Sequence, residues 1–186
     1  TITGSVGIDV VYGLAGDDVY IASTGADDFD GGAGVDLIDY SGFGVTNNIS
    51  VVLDGLNEVL LSVNGGANQT ISAIENIIGS AGDDIITGGA EDNEINGSDG
   101  DDTLNGGAGT DLLEGGSGAD IFTGSEGQNT YDGGSGIDLL DYSTQVGVGY
   151  IDVELNGAGN TSVVLDGQTN DVVRNVENII GTDGDD

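Results

Sequence analysis

The sequence predicts an all-β protein: a solenoid of short strands and tight turns, carrying two β-rich insertions. A nine-residue period runs through much of the chain, and glycine takes 37 of 186 positions while proline takes none. Periodic repeats of one short unit stack into solenoids, and glycine at that density serves regularly spaced turns. No segment shows a convincing 3.6-residue apolar period, so little or no helix is expected.

The period is legible residue by residue. From Gly79 the chain reads GSAGDDIIT, GGAEDNEIN, GSDGDDTLN, GGAGTDLLE, GGSGADIFT, GSEGQNTYD and GGSGIDLLD without a gap. An earlier run from Gly4 keeps the same frame as GSVGIDVVY, GLAGDDVYI, ASTGADDFD and GGAGVDLID. The eighth position is apolar or aromatic in every copy: Val11, Tyr20, Phe29, Ile38, Ile86, Ile95, Leu104, Leu113, Phe122, Tyr131 and Leu140. One such side chain per repeat marks the residue that faces a core. The sixth position is Asp9, Asp18, Asp27, Asp36, Asp84, Asn93, Asp102, Asp111, Asp120, Asn129 and Asp138, and Asp186 falls in the same frame at the chain's end.

A longer period lies over the short one. Asp36, Tyr40, Glu75 and Gly79 recur 102 residues later as Asp138, Tyr142, Glu177 and Gly181. Residues 1–84 therefore match 103–186, and 85–102 are two extra nonapeptides. The ending on Asp185-Asp186 reads as a stretch of one continuous, longer tandem array. Within each long copy the nonapeptide run, 4–41 or up to 141, gives way to an insertion, 40–78 or 142–180. The runs ISVVLDG, LLSVNG, IDVELNG and SVVLDG read as strands closed by turns, so the insertions are expected to be longer β coils or hairpins that interrupt the stack, ordered and packed onto the roll. Ile77-Ile78 and Ile179-Ile180 are expected to resume the inward strand, and Tyr40 and Tyr142 to close the preceding stack. Few or no metal ions are expected within 43–73 and 145–175, where the sixth-position frame lapses.

Charge then narrows the function. With 34 Asp plus Glu against one Lys plus Arg, the formal net charge is −33. That balance argues against nucleic acid and anionic membranes as partners and favours cations in quantity. An acidic disordered tail would hold fewer apolar residues than the 37% present. The chain has no Cys and no His, which removes disulfides, thiolate chemistry and the commonest zinc ligand. No run of 18 apolar residues and no N-terminal signal is visible.

If nine residues make half a coil, residues eighteen apart stack at about 4.8 Å. Two unit charges at that spacing repel by about 1 kcal/mol in water and about 3.5 kcal/mol at an effective dielectric of 20. A Ca²⁺ midway between them would lie about 2.4 Å from each, a normal Ca–O distance, whereas Mg²⁺ wants six ligands at about 2.1 Å and holds its waters. The pairs 9/27, 18/36, 84/102, 93/111, 102/120, 111/129 and 120/138 give at least seven sites. The two that contain Asn are expected to bind more weakly. The remaining ligands are expected to be turn carbonyls, such as those of Gly13, Gly31, Gly79, Gly88, Gly97, Gly100, Gly106, Gly109, Gly115, Gly118 and Gly133. The fifth-position Asp17, Asp83, Asp101 and Asp185 fall on the outward side of the alternation and are read as surface charge.

The frame G-G-x-G-x-D-x-U-x resembles the RTX (repeats-in-toxin, haemolysin-type) calcium-binding repeat across 4–41 and 79–141. The resemblance implies a right-handed parallel β-roll, a β-helix solenoid in which six-residue glycine turns bind Ca²⁺ and three-residue strands point the eighth residue inward. It also implies export from Gram-negative bacteria by one-step (type I) secretion and folding outside the cell. The leading reading is a calcium-dependent structural and folding unit of a larger secreted or surface protein, and the alternative is an adhesive or polysaccharide-binding role for the insertions. Four of nine aromatics, Tyr20, Phe29, Phe122 and Tyr131, sit at core positions, which leaves little material for a sugar platform. An enzyme built on paired carboxylates is disfavoured, because the acids form a periodic ladder with no unique pair and no His, Cys or Lys accompanies them. Arg174, the one basic residue, reads as a partner of nearby acids.

Overall fold

The computed structural model describes every residue except 55–56, 65–67, 146–149, 156–159, 166–168, 183 and 185–186. Asp185 and Asp186 thus lie outside the described residues. Among those described, every regular element is a strand.

The nonapeptides alternate between two parallel sheets. The strands Ile85–Thr87, Thr103–Asn105, Ile121–Thr123 and Leu139–Asp141 stack in one sheet, which we term the second. Asn76–Ile78, Glu94–Asp99, Leu112–Ser117 and Thr130–Ser135 stack in the first. Register advances by eighteen residues per coil: Ile86, Leu104, Phe122 and Leu140 align in one sheet, and Ile77, Ile95, Leu113 and Tyr131 in the other. All eight are fully buried between the sheets, and burying an Ile or Leu completely contributes about 2 kcal/mol. Val11, on the outermost strand of the second sheet, is half-buried. The parallel two-sheet roll is therefore the architecture that the nine-residue frame predicts.

Each insertion folds as a three-stranded antiparallel meander that joins a roll sheet. The strands Ile49–Val52, Val59–Val63 and Asn68–Ser72 pair antiparallel in sequence. Asn68–Ser72 also runs parallel to Asp28–Asp30, and Ile49–Val52 runs parallel to Ile85–Thr87, so the meander bridges two stretches of the second sheet. In the other insertion, Ile151–Leu155, Asn160–Leu165 and Thr169–Arg174 form the same meander, and its last strand pairs parallel with Thr130–Ser135 in the first sheet. The insertions are thus strands within the stack and not a layer over it.

The expectation for the strands that follow is half met. Ile77 is fully buried, in register with Ile38 and Ile95, whereas Ile78 faces outward. Ile179 packs against the core beneath Leu140, and Ile180 is 44% exposed. Successive side chains of a strand leave on opposite faces, so only one of each pair can point inward. Tyr40 and Tyr142 are fully buried, and their hydroxyls donate to Gln69 Oε1 and, at 2.6 Å, to Asp171 Oδ2.

Candidate metal centre

Turn chemistry follows from the close approach of successive coils. A Cβ on Gly115, the first residue of its turn, would overlap Asp120 Oδ2 and stand 2.8 Å from the Gly133 carbonyl oxygen of the next coil. Gly118, the fourth residue, has φ +145, a conformation that side chains disfavour. Glycine at these places lets carbonyls and carboxylates crowd into one small space.

The sixth-position residues stack as two ladders, one along each edge of the roll. In all seven pairs predicted from spacing, the backbone N–H of the earlier residue donates to Oδ1 of the residue eighteen later. The distances run from 2.8 Å for Asp18 to Asp36 and Asp84 to Asp102, up to 3.0 Å for Asp9 to Asp27. This bond fixes each acceptor side chain by its Oδ1 and leaves the other end, Oδ2 of an aspartate or Nδ2 of Asn129, to face the turn. Asp36, Asp102, Asp111, Asp120 and Asp138 are all within 2% of complete burial, and the Oδ2 of each has no hydrogen-bond partner. A buried carboxylate oxygen left unpaired is costly, and these five, three on one edge and two on the other, are oxygens that a cation would satisfy.

Electrostatics agree with that reading. Burial pushes the Asp102 carboxyl up to about 8; the N–H bond from Asp84 pulls it down, and the charges of Asp84, Asp120 and Asp83 raise it further. Asp111 and Asp120 are raised to about 6, again chiefly by burial. Asp36, Asp84 and Asp138 move in the same direction for the same leading cause. Burial thus disfavours the charged form of each of these carboxyls, and a cation at the turn would favour it.

The remaining predicted positions differ in how far they are engaged. Asp84 is locked, with Oδ1 accepting from Ile49 N at 2.6 Å and Oδ2 from Ser80 N at 2.7 Å. Asp9 is only half-buried and is held by Ser5, and Asp18 is half-buried too. Asn93 turns its Nδ2 to the Glu75 carbonyl at 2.6 Å. The fifth-position acids are exposed, yet they form an outer ladder of their own. Asp17, Asp83 and Asp101 accept from Val35, Asp101 and Ala119 N–H at 3.0, 3.0 and 2.8 Å.

Four ladder residues carry no glycine frame and escape the sequence reading. Glu75 Oε2 accepts Asp36 N–H and Glu177 Oε2 accepts Asp138 N–H, both at 2.8 Å. Asp171 Oδ1 accepts Asn129 N–H at 2.8 Å, and Gln69 caps the turn of Asp27. Burial raises the Glu75 and Asp171 carboxyls as well. The available signal was the spacing alone, since each stands two residues before an inward Ile or Val: Ile77, Ile179, Val173 and Ile71.

Among the described residues no three Asp or Glu side chains converge on one point. The acids are strung along edges, and turn carbonyls would have to complete a coordination shell. Gln69 shows that such oxygens do converge. Its Nε2 lies 3.0 Å from the Ser23 carbonyl, 3.5 Å from the Gly25 carbonyl and 3.4 Å from Asp27 Oδ2. In this turn the carbonyls of the second and fourth residues and the sixth-position carboxylate therefore face a common point, with chemistry suited to a hard, oxygen-seeking cation.

The two aspartates 101 and 102 separate the ladders experimentally. Asp102→Ala leaves the Asp84 N–H buried without its acceptor, a loss of about 1–3 kcal/mol, whereas Asp101→Ala removes one exposed bond worth about 1 kcal/mol. Asp102 also adjoins two levels of its edge, those of Asp84 and Asp120. Thermal melts at fixed calcium should show Asp102→Ala melting well below Asp101→Ala, and equal melting points would show that the inner ladder has no special role.

Comparison with known proteins adds a family. The model of the RTX calcium-binding nonapeptide repeat matches four times, at residues 1–28, 16–42, 78–113 and 105–140, together more than half of the chain. No curated protein sequence matches. Among solved structures, the extracellular lipase LipA from Serratia marcescens aligns at 19% identity over 94% of this chain, with a TM-score of 0.29. The chain spans 37% of that protein, and so loose a likeness carries no inference about this one.

Proposed function

Because the chain belongs to the RTX family of calcium-binding nonapeptide repeats, we propose that it is a structural module of a larger secreted or surface protein that folds as Ca²⁺ fills its turns outside the cell. The observation that carries this reading is the set of five buried, unpaired carboxylate oxygens shared between the two inner ladders. Each faces a turn whose glycines allow carbonyls to approach, and a divalent cation there would cancel the charge that stacking accumulates. Oxygen-only coordination and loose geometry suit Ca²⁺ better than Mg²⁺, which dehydrates reluctantly and demands a regular octahedron. The acids are engaged in the ladders, so the module's role is structural and any catalysis would reside in other parts of the parent protein. The test is equilibrium dialysis against calcium with magnesium in tenfold excess, counting retained metal by atomic emission. Several calcium ions per chain are expected, and retention of none, or of magnesium equally, would defeat the reading.

A further inference from the structure

One turn in each long copy is closed by a side-chain amide nitrogen. These are the turns 22–27 and 124–129, equivalent at 102 residues. In the first, Asp27 Oδ1 accepts Asp9 N–H at 3.0 Å, while Oδ2 accepts from Ser23 Oγ at 3.2 Å and from Gln69 Nε2 at 3.4 Å. Carbonyl oxygens only accept, so the Ser23 and Gly25 carbonyls fix the nitrogen end of the Gln69 amide toward the turn. In the second, Asn129 Oδ1 accepts Asp111 N–H at 2.9 Å, which orients its nitrogen. Asn129 Nδ2 then lies 3.4 Å from the Ser125 carbonyl, 3.4 Å from the Glu126 carbonyl, 3.2 Å from Ser125 Oγ and 3.3 Å from the Tyr131 hydroxyl. Both oxygens of Asp171 above it are engaged, by Asn129 N–H and by the Tyr142 hydroxyl.

The sequence exchange between the copies matches this geometry. Asp27 pairs with Gln69, and 102 residues on Asn129 pairs with Asp171. Each level keeps one carboxylate, one amide and a buried tyrosine, with acid and amide traded between the two positions. We infer that these two levels are closed to calcium, because a side-chain amide nitrogen stands among the turn oxygens that would otherwise face the ion. An amide NH₂ offers two donors to oxygens that would otherwise need a cation, and its positive end repels one. Neither Asp27 nor Asp171 leaves a buried oxygen unpaired, unlike the carboxylates of the five open levels.

This inference rests on the calcium reading, and one experiment separates the two. Bound calcium per chain is counted by atomic emission after dialysis at saturating calcium, for the unaltered chain and for Asn129→Ala, Asn129→Asp and Gln69→Glu. Asn129→Ala is expected to keep the full count, and each acidic variant to gain one ion. A count lower by one in Asn129→Ala, or no gain in either acidic variant, overturns the closed levels while leaving the calcium reading intact. No calcium on the unaltered chain overturns the reading itself. Should Asn129→Asp fail to fold, Gln69→Glu decides the question at the other turn.

Discussion

In metal-free buffer the chain is expected to lose most of its β structure, and calcium is expected to restore it cooperatively at about 10⁻⁴ to 10⁻³ M, the range of weak extracellular sites. The net charge of −33 has one basic side chain to offset it. Folding stacks those acids at strand spacing, where each neighbouring pair costs about 1 kcal/mol even in water and more when buried. The apolar gain comes from one inward side chain per half-coil, as at Ile86, Ile95 and Leu104. A core that narrow has little surplus with which to hold five unpaired carboxylate oxygens out of water. Binding energy therefore becomes folding energy, and metal and fold should appear together. Far-UV circular dichroism during a calcium titration measures this. Native signal persisting in excess EDTA, or equal recovery with magnesium, would show that the ladders are stable unaided.

How much of this was legible in the sequence depends on what each frame encodes. The D-x-U spacing places a carboxylate at the turn and an apolar residue inward two positions later, so Asp102 and Leu104 declare both edge and core. The division of labour within each carboxylate did not follow, because it depends on where the N–H of the coil beneath points. Glu75 and Glu177 keep the spacing but lack the glycines, and their longer side chains reach the same N–H groups from a shorter turn. The insertions were legible as strands, yet short apolar runs such as ISVVLDG say nothing about partner or direction. Nor does the 102-residue period announce that its copies fall in opposite sheets. Val10–Tyr12 lies in the second sheet and its counterpart within Leu112–Ser117 in the first, because an odd number of half-coils separates them.

Acid should partly replace calcium. In an unfolded chain an Asp carboxyl titrates near 3.9, whereas in the folded, metal-free roll burial lifts Asp102 to about 8 and Asp111 and Asp120 to about 6. Groups raised in the folded state bind more protons there than in the unfolded chain. Their protonated forms stabilise the fold fully below the unfolded value, and that contribution is lost as pH rises through 6 and then 8. The groups facing Asp102 are Asp84, Asp120 and Asp83, all acidic, so no local cation opposes the trend. Metal-free protein taken from pH 8 to about 4.5 should therefore gain β signal without any divalent ion, with most of the change between pH 8 and 5. Conversely, calcium affinity should fall over the same interval, since each ion must displace protons from the ladder. Circular dichroism on exhaustively dialysed protein reads the first effect and calcium titrations at pH 7.5 and 5.5 the second. A metal-free chain that stays unfolded down to pH 4.5, with calcium affinity unchanged by pH, would mean that the inner carboxylates are ionised and solvated in the folded roll.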